Sequence, residues 1–210
     1  MSNSHAQIKT LTQVDRDHQL AYLPRHQRWY NRIRRGLLAF LPWLAVVDDG
    51  LVQDYLTQHE YALFASMDVR DQQHACWVAT ALLRYVSDAS EELIAAALLH
   101  DVGKADVPFW PLERIFVHVV AGVYRYQPAI TPKHRGWRGA WQRKCHHELY
   151  GAQMIRQIGG RAQVAAIIEA TRHVALQRPY DVTSHVVTSH VDISEIDRAA
   201  YLLKHVDQCF

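Results

Sequence analysis

The run Leu93 to Leu99, LIAAALL, is apolar on every face of a helix and ends directly in His100-Asp101. A helix that is hydrophobic all round has no face to give to solvent, so it must lie at the centre of a fold with other elements packed about it. Ser90 stands as its N-cap, Glu91 and Glu92 complement the dipole in its first turn, and Gly103 terminates it. The ionisable pair His100-Asp101 is thereby carried into the interior. A buried unpaired carboxylate is costly and buried ions persist only when paired or metal-bound, so Asp101 requires a cation.

The rest of the chain reads as helices around that centre. Arg25 to Leu41 places Trp29, Tyr30, Ile33, Leu37 and Leu38 at three- and four-residue intervals among basic residues, an amphipathic helix ending at Pro42. Short helices follow at Gly50 to Gln58 and Glu60 to Met67. Arg70 to Val86 carries a core-facing stripe, and Trp110 to Tyr124 reads as another helix. Gln127 to Lys144, with Pro128, Pro132, Gly136 and Gly139, reads as a loop-rich segment. Helices resume at His147 to Ile158, Arg161 to His173 and Ser194 to Val206, and Ala175 to Ile193 is expected to be a loop despite its β-branched residues. No fixed-period repeat and no alternation of strands with helices occurs, so the expected class is all-α. The division expected is a loose tail over 1–22, helices packed on the core over 23–67, and the main domain over 68–210.

Composition narrows the function classes. With 210 residues, 49% hydrophobic and 21% charged, the chain is an ordinary globular protein, and a chain of this size needs no metal merely to make a core. A formal charge of +2 gives no bulk case for nucleic-acid binding. Cys76, Cys145 and Cys209 are odd in number and form no CxxC pair, so free thiols and a cytoplasmic setting are expected. The longest apolar run, Gly36 to Val47, is interrupted by Pro42 and too short to span a bilayer, and the N-terminus lacks the order of a signal peptide. Fourteen histidines are the unusual feature. Imidazole is the commonest metal ligand and titrates nearest neutral pH.

Three polar residues share one relation to their helices. His74 is followed at i+4, i+7, i+8 and i+11 by Val78, Ala81, Leu82 and Tyr85, and His147 by Gly151, Met154, Ile155 and Ile158. Asp207 has Leu203, Ala200, Ala199 and Ile196 behind it at the mirror offsets. Each therefore points into the core from one end of its helix. Taken singly, such a histidine is a core residue and such an aspartate a cap. Taken together, imidazole and carboxylate ligands from several helices, without thiolate, favour Mn, Fe or Mg over structural zinc.

The order His74, His100-Asp101, Asp207 resembles the H…HD…D signature of the HD superfamily of metal-dependent phosphohydrolases. LLHDVGK (Leu98 to Lys104) is similar to the HDIG-type core motif of small bacterial members. HHELYGA (His146 to Ala152) resembles the H-x-x-x-G-A element and aligns His147 rather than His146 with the ligand; EATRH (Glu169 to His173) resembles the helix-terminal histidine that follows. The resemblance runs from about residue 25 onward. No H-H-E-x-x-D-G-x-G-Y-P run follows, which separates the chain from the cyclic di-GMP phosphodiesterases of the superfamily.

The resemblance implies an all-α HD-domain helical bundle, here with an added N-terminal amphipathic helix. It also implies two divalent metal ions, Mn or Fe foremost and Mg as a further possibility. One would be held by His74, His100, Asp101 and Asp207, and the second by Asp101, His147 and His173. Such a pair activates a shared water and neutralises charge developing on phosphorus. Lys104 reaches substrate phosphate by the same resemblance, although a lysine there also complements a helix C-terminus. Asp207 lies three residues from the end of the sequence, where a helix end is open to fraying.

In Thr131 to Lys144, five cations and no acid are interleaved with Trp137 and Trp141, so Arg138 and Arg143 are candidate contacts to a nucleotide, with a solvated loop as the plain alternative. The basic helix with Arg25, Arg28, Arg32, Arg34 and Arg35 reads as a solvated face or an interface. The function expected is hydrolysis of a small phosphorylated substrate of nucleotide type, with Asp101 and Lys104 as the catalytic residues. A catalytically silent regulatory domain binding a nucleotide signal is the alternative. A nucleic-acid-binding helical protein, a third reading, would show steep salt dependence and no metal requirement.

Overall fold

The computed structural model describes residues 41–105, 117, 130, 136–176 and 195–207. Within them the chain forms seven α-helices: α1 (Asp49–Tyr55), α2 (Gln58–Ala65), α3 (Val69–Tyr85), α4 (Glu91–Leu99), α5 (Gly136–Gln157), α6 (Ala162–Leu176) and α7 (Glu195–Asp207). Two 3₁₀ turns, Pro42–Leu44 and Val102–Lys104, accompany them, and no strand occurs among the described residues. The architecture is all-α. The expected tail over 1–22, the amphipathic helix over Arg25 to Leu41 and the helix over Trp110 to Tyr124 lie outside the described residues but for Leu41 and the helical Val117. The loop expected over Ala175 to Ile193 lies outside them beyond the end of α6.

Helix α4 is the hub. Leu93 through Leu99 are each at most 3% exposed, and α1, α2, α3, α6 and α7 all pack on this one element. Burying a Leu or Ile side chain contributes roughly 1.5–3 kcal/mol, so Ile94, Leu98 and Leu99 hold five helices to a common axis. Local chemistry fixes the helix starts. Ser90 Oγ accepts from the Leu93 amide at 3.2 Å, and Asp68 accepts from the Arg70 amide. Thr57 and Glu60 exchange bonds in a capping box at the head of α2.

Glu60 has a second task. Its carboxylate is fully buried and accepts from both the backbone amide (3.0 Å) and the guanidinium (2.8 Å) of Arg161, so α2 is clamped to the entry of α6. Arg161 also donates to the Tyr55 carbonyl at 2.6 Å. Gly159, at φ +71°, turns the chain between α5 and α6 in a conformation that a side chain would strain.

One expectation is corrected. Residues 136–144 are not part of a loop but the first turns of α5, a 22-residue helix that continues through His147 without a break. Gly136 and Gly139 read as breakers, yet Gly136, at φ +72°, stands at the helix's first residue, and a glycine inside a helix, as Gly139 is, costs only about 1 kcal/mol. Burial of Gly139, Ala140, Gln142, Arg143 and His146 at helical spacing offsets it.

Candidate metal centre

The end of α4 delivers two groups to one point. Asp101 follows its C-cap, His100, and opens the Val102–Lys104 turn, and both residues are buried, at 3% and 7% exposure. This turn packs on α5 without side chains between them: a Cβ on Gly103 would sit 2.0 Å from the His147 carbonyl oxygen and 2.7 Å from the Gly151 amide nitrogen. Glycine at 103 therefore lets the Asp101–Lys104 segment lie directly against the turn of α5 that carries His147. Helix α3 brings His74 and α7 brings Asp207 from the other side.

The groups meet closely. The ligand atoms of His74, His100 and Asp101 all lie within 4.8 Å of one another. His74 Nε2 is 2.9 Å from Asp207 Oδ1. His100 Nε2 lies between the two carboxylates, 3.6 Å from Asp101 Oδ1 and 3.5 Å from Asp207 Oδ1. His147 Nε2 is 3.6 Å from Asp101 Oδ1, and Lys104 Nζ is 2.5 Å from the same oxygen.

Backbone carbonyls set the imidazole orientation. His100 Nδ1 donates to the Ala97 carbonyl at 2.8 Å and His147 Nδ1 to the Lys144 carbonyl at 3.0 Å. In the neutral rings this leaves the Nε2 lone pairs facing the centre, the outer-shell arrangement that metal-binding histidines use. His100 Nε2 is buried and makes no hydrogen bond, its two carboxylate neighbours being too distant for one. A hard or borderline divalent cation satisfies such a nitrogen and both carboxylates together, and these residues fit one.

The electrostatics agree. Burial alone would raise the Asp101 carboxyl, but Lys104, His100, His147 and His74 hold it well below the ordinary carboxylate range. Burial would likewise raise Asp207, and its contacts with His100 and His74 keep it well below that range. His100, although burial disfavours its charged form, is pushed up to about 9 by Asp101 and Asp207. Two ionised carboxylates thus converge where positive charge is favoured. His147 is pushed down, first by burial and then by Lys104.

Of the residues expected at the site, His74, His100, Asp101, Lys104, His147 and Asp207 are brought together, whereas His173, Arg138 and Arg143 are not. His147 rather than His146 reaches Asp101; His146 is buried against Tyr150. Asp207 is the last residue of α7, fixed by its contact with His74. His173 is exposed on α6, about 200° around the helix from the buried Thr171. Arg138 is exposed nine residues before His147, about 13 Å along a continuous helix, and Arg143 is fully buried.

The cavity at the centre is lined by His100, His147, Glu148, Thr171, Leu203, Lys204 and Asp207. Glu148, Thr171 and Lys204 had no place in the sequence reading, although signals for them exist. Thr171 continues the buried i, i+4, i+7 stripe of Val164 and Ile168, and Lys204 lies three residues before Asp207 on the same face.

The family model for the HD domain matches residues 72–209, which span every one of these side chains. No curated protein and no solved structure matches the chain.

Proposed function

Since the chain belongs to the HD-domain family, generally one of metal-dependent hydrolases, we propose that it is a phosphohydrolase of small phosphorylated substrates, nucleotides foremost. The observation that carries this reading is the convergence of His74, His100 and Asp101 on one buried point beside Asp207, with the buried His100 Nε2 making no hydrogen bond. These four residues would hold one divalent cation, Mn, Fe or Mg by ligand type. A second cation would need His147 and His173 beside Asp101. The outward position of His173 supports one ion rather than two.

A cation bound there supplies charge neutralisation and polarisation at a phosphoryl oxygen. The chain's own groups supply the rest. Lys104, which burial would discharge but Asp101 keeps protonated, offers a point charge to a phosphate oxygen at the mouth of the centre. His147, held neutral with its Nδ1 proton on the Lys144 carbonyl, has Nε2 free to accept a proton from an attacking water. Asp101 orients both, through the 2.5 Å contact to Lys104 and the 3.6 Å approach to His147. No side-chain nucleophile is needed. No helix among the described residues is long and apolar enough to cross a membrane, and a cytoplasmic setting belongs to the same proposal.

The test is a phosphate-release screen over nucleotides and simple phosphate esters, with Mn, Fe or Mg supplied to metal-stripped protein beside Asp101→Ala. Release by the wild type, abolished in a folded Asp101→Ala protein and lowered less by any single histidine change, is the expected result. Retained activity in folded Asp101→Ala would refute the mechanism. Nucleotide binding without release from any substrate would favour the silent regulatory domain.

A further inference from the structure

The cavity carries a lysine that the mechanism above leaves unused, Lys204. Lys204 lies one turn before Asp207 on α7, so the helix that carries a candidate ligand to the centre also carries an ammonium into the adjoining cavity. Its side chain is 18% exposed and its Nζ lies 3.3 Å from Glu148 Oε1. Charge-assisted N–H···O bonds settle at about 2.7–2.9 Å. The Lys204–Glu148 contact is therefore loose, whereas Lys104 sits at 2.5 Å from Asp101. Glu148 is itself shared: its other oxygen lies 3.3 Å from His147 Nδ1, a nitrogen whose proton is already given to the Lys144 carbonyl.

A loosely paired ammonium facing a cavity between His100, His147 and Asp207 is poorly explained as a clasp between helices. It is well explained as a group awaiting an anion. Lys104 reaches Asp101 from the turn after α4 and Lys204 lines the cavity from α7, so the centre has two ammonium groups near it, carried by different elements. We propose that Lys204 is a substrate-binding residue for the phosphoryl group, with Glu148 only its resting partner, a competitor for the ammonium that the anion displaces. This rests on the phosphohydrolase reading and adds to it a second phosphate contact on the α7 side.

The experiment measures inorganic phosphate binding to the Mn-loaded full chain by calorimetry, with KM for the best ester from the screen as a second readout. Lys204→Gln is expected to weaken phosphate binding about tenfold or more, the lower end for a hydrogen bond to a charged group, and to raise KM. Lys204→Arg should restore most of the affinity. Glu148→Gln should leave phosphate binding unchanged or tighter, because it removes a competitor for the ammonium.

A mere clasp between α5 and α7 makes a different prediction, since removing either partner then costs the same. Equal losses in Lys204→Gln and Glu148→Gln would overturn the proposal, as would wild-type affinity in Lys204→Gln. If Lys204→Gln does not fold, Glu148→Gln decides: binding kept or tightened supports the proposal, and binding lost overturns it. Wild-type Mn-loaded protein that neither binds phosphate nor releases it from any ester would overturn the phosphohydrolase reading and this inference with it. Wild-type binding that no Lys204 variant alters would overturn this inference alone.

Discussion

Asp101 and Glu60 are both buried carboxylates, and the way each is satisfied separates function from structure. Glu60 is saturated by the Arg161 and Thr57 donors, while Asp101 shares a single lysine among converging imidazoles. Burial would raise the Glu60 carboxyl, but the Arg161 bonds leave it below its ordinary value of 4.5. A depressed carboxyl contributes stability that is present above the unfolded pKa and lost as pH falls through the folded one. Glu60→Gln is therefore expected to destabilise the fold by about 1–3 kcal/mol near neutral pH, the cost of weakening hydrogen bonds to a charged group whose partner, Arg161, keeps some contact with water. Urea titrations should show that deficit narrowing below pH 4.5. A second prediction concerns His173. Because it faces out of α6, His173→Ala should leave bound metal and phosphate release at wild-type levels, whereas His100→Ala should lower both, though by less than Asp101→Ala. Elemental analysis falling from two ions to one in His173→Ala would instead establish a dinuclear centre.

At the scale of elements, the contact between the Val102–Lys104 turn and α5 governs the site. The turn carries Lys104 and follows Asp101, α5 carries His147, and the two backbones touch at Gly103 and Gly151. A methyl at 103 has nowhere to go, because the atoms it would meet are backbone. Gly103→Ala should force the turn away from α5, at a cost of roughly 1–3 kcal/mol or more for overpacking. Mn affinity should fall in the same variant, since Asp101 moves with the turn. Urea unfolding and metal titration check the two effects together; a destabilised protein with unchanged Mn affinity would mean that α5 follows the turn.

For the whole molecule, the candidate ligands come from α3, from the end of α4 and the turn behind it, and from α7, so a bound cation would link these elements at one point beyond the core and the His74–Asp207 contact. A ligand that binds only the folded state at a hundred times its Kd adds about 2.7 kcal/mol. For a chain of this size that amounts to a rise in Tm of about 5–11 °C. Thermal scans of metal-stripped protein with and without Mn should show this rise, and Asp101→Ala should abolish it. A rise of equal size in Asp101→Ala would place the cation elsewhere.

What the sequence determined by itself is what local patterns determine. The all-round apolar run foretells a central helix because nothing else can bury it, and Ser90 marks its start because its hydroxyl finds an amide three residues on. His74, His147 and Asp207 are legible as inward groups because each heads or ends its own apolar stripe. The register of a single helix is enough for that. His173 shows the limit, since a histidine at a familiar place in a motif says nothing about which way the helix is rotated against its neighbours. Packing of Val164, Ile168 and Thr171 decided that, turning His173 outward. The start of α5 was hidden for a related reason: its glycines look like breakers until tertiary burial offsets their cost. Glu148 and Lys204 lie 56 residues apart in the chain, and only the packing of α5 and α7 around α6 puts them on one cavity. Periodicity fixes which face of a helix is inside, but which groups meet there is a property of long-range packing, and no local pattern carries it.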